Sequence, residues 1–263
     1  MNLLSKALPN RGFVVQEKKT YPLWNELERQ VMLCQDHFWV MGSLIKAAIE
    51  AAYRIEPGKI TAVGAGPGHD LDIVRDGGSK HPSNKRILFV GREAERKGVR
   101  VLMQAFELVR KDFPDALLDV VAGVPVSGTG VTCHRGLNES SLKRLFYSAN
   151  IFAMPSYREP LGLVFIEAML SKAACLGTTT GSVPDVIRDG ETGYLVGPGD
   201  PVTLADRLAR LLRDPLRTRD MGERGYRAAK EYWQWDLVVE RMSNALRERG
   251  ALPDASAAAH SFR

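Results

Sequence analysis

Cysteine is scarce in this chain. Its three residues, Cys34, Cys133 and Cys175, stand far apart, form no CxxC and lie in apolar stretches. That spacing excludes a dense disulfide framework or a zinc ribbon and points to reduced thiols in a cytoplasmic protein. Long apolar runs are also missing: nothing approaches the roughly 18 residues of a membrane span. The first residues lack the basic, apolar and small pattern of a secretion signal, so export is not expected. Charge of one sign is never concentrated. Lys and Arg number 36 against 31 Asp and Glu, leaving +5, and the arginines of residues 205–230 alternate with acids as on a salt-laced helix surface. With no zinc-finger or RNA-binding signature, no nucleic-acid partner is expected. A weak peripheral contact with an anionic membrane surface stays open. No second His or carboxylate is spaced to join His134 in a metal site, so no metal is expected. No internal repeat is visible.

What remains is an ordinary globular composition, 44% hydrophobic, 25% charged and 8% aromatic over 263 residues. That is enough for one large domain or two small ones. Apolar spacing predicts a helix over 22–35, a strand over 37–41, a helix capped by Ser43 and a strand over 59–63. Residues 64–84 are rich in glycine and read as a linker. Beyond them strands are expected at 86–90, 117–121, 131–134, 151–154, 174–176 and 193–196. Helices are expected at 98–112, 139–148, 161–172, 202–213, 217–231 and 235–248. This alternation predicts an α/β chain with a doubly wound, Rossmann-like parallel sheet. The division expected is 1–83 for a small first unit with its linker, 84–235 for a ligand-binding domain, 236–250 for a last helix and 251–263 for a disordered tail.

Chemistry concentrates at two places. Glu159 and Glu167 straddle the start of the helix expected at 161, where Pro160 presets φ and Gly162 permits close approach. The free amides of Leu161, Gly162 and Leu163 would then point at an anion along the helix dipole. A phosphate seat flanked by two carboxylates suits a ligand with phosphates and hydroxyls, such as a nucleotide sugar. Upstream, the first strand of the regular half ends Phe89-Val90-Gly91-Arg92, and Lys97-Gly98 opens the next helix. Both cations fall at the carboxyl end of a sheet strand, where open α/β sheets bind ligands, and could hold a diphosphate.

A third motif competes. Val63-Gly64-Ala65-Gly66-Pro67-Gly68-His69-Asp70 follows a predicted strand, as does the glycine turn of proteins that bind a dinucleotide or S-adenosylmethionine. It lacks the third glycine at the required spacing, and Asp76-Gly77-Gly78 with Pro82 breaks any helix that would follow.

Taken in order, Phe89-Val90-Gly91-Arg92 with Lys97-Gly98, Ala153-Met154-Pro155-Ser156-Tyr157-Arg158-Glu159-Pro160-Leu161-Gly162, Glu167-Ala168-Met169 and Asp189-Gly190-Glu191-Thr192-Gly193-Tyr194-Leu195-Val196 resemble the retaining, metal-independent glycosyltransferases of the GT-B fold, family four (glycosyl transferases group 1). The resemblance covers about residues 35–245. It implies a hexosyltransferase-like enzyme that uses a UDP-, GDP- or ADP-sugar as donor and needs no cofactor. Its acceptor would be a glycan, lipid or small molecule. Arg92 and Lys97 match the pair that grips the donor diphosphate, with Gly91 beside them. Glu159 matches the glutamate by the donor sugar; Leu161, Gly162 and Leu163 match the backbone that meets sugar and phosphates. Glu167 matches the ribose-binding glutamate, and His134, Arg135 and Gly136 fall where the base is held. Gly181-Ser182-Val183-Pro184-Asp185 departs from the family's paired glycines and glutamate. Residues 1–80 resemble only the end of the family's first domain. The alternative reading is therefore a non-catalytic binding module, or one subunit of a split transferase whose partner chain, or self-association, completes it.

Overall fold

The computed structural model describes residues 22–69, 81 and 83–253. The unpatterned start, most of the linker with Asp76-Gly77-Gly78 and Pro82, and residues 254–263 of the tail expected to be disordered lie outside the described residues.

The first unit is a small alternation of helix and strand: α1 (Pro22–Leu33), β1 (Phe38–Val40), α2 (Ser43–Tyr53) and β2 (Ile60–Ala62). β1 and β2 pair in parallel with Phe38 opposite Ile60, and α2 makes the crossover that a parallel pair requires. Val40, Ile49, Tyr53, Ile55 and Ile60 form its own core. Ser43 does not cap α2 as expected. Gly42 is the N-cap and Ser43 the first helical residue. Gly42 packs so tightly that a Cβ there would lie 2.2 Å from Ser182 Oγ, and the capping acceptor comes from Asp185, far along the chain.

The second unit holds six parallel strands: β3 (Arg86–Gly91), β4 (Leu117–Ala122), β5 (Val131–His134), β6 (Ile151–Ala153), β7 (Ala174–Thr178) and β8 (Gly193–Val196). Their spatial order is β5-β4-β3-β6-β7-β8. The order therefore reverses between β3 and β6, and the crevice at the carboxyl ends of those two strands is where such sheets take their ligands. Short apolar strands buried on both faces explain the sequence pattern, since parallel sheets are covered by helices on either side.

Among the described residues seven helices belong to this part of the chain: α3 (Val99–Arg110), α4 (Glu139–Ser148), α5 (Leu163–Leu170), α6 (Val183–Val186), α7 (Pro201–Arg213), α8 (Pro215–Tyr232) and α9 (Trp235–Glu248). α3 buries Val99, Leu102, Ala105, Phe106 and Val109, and α7 buries Leu204, Leu208, Leu211 and Leu212. Those spacings give each helix one apolar stripe, and the two helices pack together on one face of the sheet. Proline at the first helical position and an Asp N-cap start α7 and α8: Asp200 Oδ1 accepts from the amides of Val202 and Thr203, and Asp214 Oδ1 from Arg217. Both devices satisfy amides that a helix start leaves free. The short helix α6 was not anticipated.

The helix expected from residue 161 begins at Leu163 instead. Gly162 is its N-cap with φ 91°, a left-handed value that glycine adopts freely and other residues resist. Pro160 therefore sits in the preceding turn rather than at the first helical position. α5 is buried almost all round, with Phe165, Ile166, Ala168, Met169 and Leu170 in the core and Glu167 as its one charged residue. Beneath it, Phe146 stacks on Phe152 at 5.9 Å between centroids, and Phe152 meets Phe165 edge-on at 5.4 Å.

α9 returns to the first unit. Arg249 donates to Gly58 O and Asp36 O, and Arg241 Nε to Val63 O. Among the described residues no helix is long and apolar enough to cross a membrane.

Candidate functional site at the strand-order reversal

The loops that follow β3 and β6 are joined main chain to main chain. Gly98 has φ 81°, and a Cβ on it would lie 2.0 Å from Pro155 O. The amide of Tyr157 donates to Arg96 O at 2.9 Å, and Arg96 Nη1 donates to Arg158 O at 2.6 Å. This stitching brings together two residues singled out from opposite loops. Lys97 Nζ forms an ion pair and hydrogen bond with Glu159 Oε2. Both are largely withdrawn from water, with side chains 15% and 7% exposed. Gly91 leaves room for this arrangement, because a Cβ there would lie 3.0 Å from Lys97 Cγ. Arg92, expected to pair with Lys97 around one anion, is exposed and has no ionic partner among the described residues.

The turn carrying Glu159 is braced from the loop after β7. Ser182 N donates to Pro160 O at 2.8 Å, and Gly181 passes so close that a Cβ would lie 1.6 Å from Glu159 O. Glu159 and Pro160 are therefore held as a fixed ledge in front of α5. The amide of Phe165 is already used by Gly162 O at 2.8 Å. The leading amides of α5 have no acceptor within the helix and present its positive end. Leu161, expected to offer an amide from inside the helix, instead precedes it and buries its side chain.

Glu167 lies one turn into α5 and is 6% exposed. Its Oε1 accepts a hydrogen bond from Gly68 N at 3.1 Å. Burial pushes its carboxyl above the ordinary glutamate range; the nearby His69 charge and the amides of Gly68 and His69 oppose that rise. The glycine turn therefore rests on this carboxylate. Residues 63–69 contain no helix, and Gly66 answers a packing need, since a Cβ there would lie 2.5 Å from the Trp235 ring.

His134 ends β5 and is not a free edge residue. Its Nε2 hydrogen-bonds Asp119 Oδ1 at 2.7 Å, while Asp119 Oδ2 accepts from Arg86 Nη1 at 2.7 Å. Asp119, 3% exposed in the middle of β4, escaped the sequence reading. Its signal was a lone acid inside the apolar run Leu117-Leu118-Asp119-Val120-Val121, where a buried charge demands partners. Arg135 and Gly136 follow in an exposed loop, Gly136 with φ 62°. Among the described residues no three His, Cys, Asp or Glu side chains cluster as metal ligands would.

Gly91 thus ends β3 with Arg92 and Lys97 beyond it, Glu159 to Leu163 lie beyond β6, and His134 ends β5 with Arg135 beyond it, two strands from the reversal. Cations, a helix start and buried carboxylates along one sheet edge can bind a polyanion that also carries hydroxyls.

Residues 73–228 match the family model described as Glycosyl transferases group 1. The D-inositol 3-phosphate glycosyltransferase of Mycolicibacterium paratuberculosis is 29% identical over 263 residues, covering 90% of this chain and 58% of that protein. The GDP-mannose-dependent alpha-(1-6)-phosphatidylinositol monomannoside mannosyltransferase of Mycolicibacterium smegmatis is 30% identical over 182 residues, covering 62% of this chain and 48% of that protein. The chain spans about half the length of the curated relatives it matches. Among solved structures, sucrose-phosphate synthase of Thermosynechococcus elongatus superposes with a TM-score of 0.70 at 22% identity over 90% of this chain and 64% of that one. The C-terminal domain of the group 1 glycosyl transferase LpcC of Francisella tularensis does so with 0.54 at 21% identity, over 65% of this chain and 96% of that one. At such identities the superpositions establish the fold, that of the GT-B enzymes.

Proposed function

The chain belongs to the glycosyl transferases group 1 family, and on that premise we propose that it binds a nucleoside-diphosphate sugar and passes the sugar to an acceptor with retention of configuration. The observation that carries this reading is the Lys97–Glu159 pair set in front of the amino end of α5. As the bond from the anomeric carbon to the diphosphate breaks, the diphosphate departs with the electron pair and negative charge grows on it. Lys97 and the leading amides of α5, held in place before the reaction begins, would stabilise that charge without a metal, with the exposed Arg92 as a further cation. Glu159 would orient the sugar, Glu167 the ribose hydroxyls, and His134 with Arg135 the base. The donor is a UDP-, GDP- or ADP-sugar, and the acceptor a glycan, lipid or small molecule.

A second reading has its own support. The chain spans about half of its curated relatives, so a binding module or one subunit of a split transferase, completed by a partner chain or by self-association, is the alternative. Both predict tight donor binding. Incubating the chain with UDP-, GDP- and ADP-sugars, with and without acceptors, separates them: release of nucleoside diphosphate supports the enzyme, and binding without turnover or hydrolysis supports the module. Absence of binding to any of the three donors would overturn both.

A further inference from the structure

The linker turn is anchored where a simple spacer would be loose. Arg241 Nε donates to Val63 O at 2.7 Å, and the Arg241 guanidinium also sits over the Tyr232 ring at 4.1 Å. Trp235 Nε1 donates to Pro67 O at 2.9 Å. Gly68 N then donates to Glu167 Oε1 at 3.1 Å. Pro67 O and Gly68 N belong to the same peptide unit. Trp235 therefore grips one end of a rigid planar group whose other end holds the buried carboxylate. Each bond polarises the unit in the sense that strengthens the other. Both glycines make close contacts: a Cβ on Gly66 would lie 2.5 Å from the Trp235 ring, and one on Gly68 2.9 Å from Glu167 Oε1, which would have to swing aside.

We infer that the turn of residues 66–69 is a working part of the nucleotide site: the Gly68 amide fixes the Glu167 carboxylate in the orientation that meets a ribose diol, and Trp235 is the positioning residue that fixes the amide. The inference rests on the assignment of Glu167 to ribose proposed above. A buried carboxylate left to itself has several rotamers to choose from, and binding would have to select one. The peptide held by Trp235 makes that selection in advance, which raises affinity for any nucleoside diphosphate whatever its base. His69, next in the turn, places a titratable ring near the same carboxylate.

Calorimetric titration with UDP, GDP and ADP, and with inorganic pyrophosphate as a probe lacking ribose, tests this on the full chain and on Gly68→Ala, Trp235→Phe and Glu167→Ala. Gly68→Ala pushes the carboxylate aside while the amide remains. Trp235→Phe keeps an aromatic ring but removes the indole N–H. Melting temperatures close to that of the unaltered chain establish that the variants fold. The expected result is a loss of about tenfold in nucleotide affinity for Gly68→Ala and for Trp235→Phe, the order of one hydrogen bond to a charged group. Pyrophosphate affinity should stay unchanged. Nucleotide affinity unaltered in both variants, while Glu167→Ala still loses it, overturns the inference and leaves the ribose assignment standing. Equal losses for nucleotide and pyrophosphate in these two variants also overturn it. If Glu167→Ala binds nucleotide as the unaltered chain does, or if that chain binds no nucleotide, the ribose assignment fails and the inference with it.

Discussion

Asp185 holds Ser43 twice, accepting from its backbone amide at 2.7 Å and from its hydroxyl at 2.6 Å. The partners are 142 residues apart. A carboxylate on α6 thereby caps α2 and ties the first unit to the loop that braces Glu159. Asp185→Ala should cost about 1–2 kcal/mol, as loss of an N-cap does, and lower the melting temperature by about 2–4 °C per kcal/mol. Hydrogen exchange should show the faster opening in α2, with β3 to β8 unchanged. Uniform acceleration across the chain would contradict this.

Removing either member of the Lys97–Glu159 pair leaves the other charge withdrawn from water without its hydrogen-bonded partner. Lys97→Ala and Glu159→Ala should each destabilise by about 3–5 kcal/mol, whereas the double variant should lose much less than the sum. Urea denaturation of the four proteins measures the coupling. Simple additivity would remove the pair from the account of the site.

Glu167 yields a pH prediction. Its carboxyl is raised above the ordinary value of 4.5 by burial, so the folded chain keeps that proton to higher pH than the unfolded chain does. The stabilisation from holding it is fully present below 4.5 and is lost as pH rises through the folded value. Glu167→Gln, which cannot ionise, should therefore melt higher than the unaltered chain at neutral pH. A gain of 1 kcal/mol would appear as about 2–4 °C. The difference should shrink as the pH falls toward 4.5. A gap that is constant with pH would show that ionisation is not its source.

Asp119 joins Arg86 to His134 inside the sheet. Asp119→Ala deprives Arg86 and His134 of their shared partner and should cost roughly 1.5–3 kcal/mol for each hydrogen bond lost, read by urea denaturation. If His134 meets the base, milder Asp119→Asn should weaken nucleotide binding several-fold and spare pyrophosphate. Identical nucleotide affinity would confine Asp119 to a structural part.

The strand positions and the doubly wound alternation were legible because buried parallel strands leave unbroken apolar runs and their covering helices leave 3.6-residue stripes. Lys97 and Glu159 were legible as residues, but their union was not: it depends on Gly98 meeting Pro155 O across two loops. The start of α5 was misread because Pro160 is a common first helical residue, while the left-handed Gly162 decides the matter. Ser43 was misread because its true cap acceptor is distant in sequence. Gly66 and Gly68 looked like slack in a spacer. They are close contacts with Trp235 and Glu167, and glycine has the same letter in both circumstances.

The backbone junctions at Gly98 with Pro155 O and Gly181 with Glu159 O carry an evolutionary consequence. Where main chain lies on main chain, no side chain can be exchanged to retune the cleft, and even alanine at either glycine would force the loops apart. Novelty in ligand choice must enter from the rim. Beyond β5, Arg135 is exposed, whereas Gly136 faces open space but keeps a φ of 62° that favours glycine. A library randomised at Arg135 and Arg92 should retain folded members in abundance, while one randomised at Gly98 and Gly181 should retain almost none. Adaptability in this molecule is concentrated on one bank of the cleft.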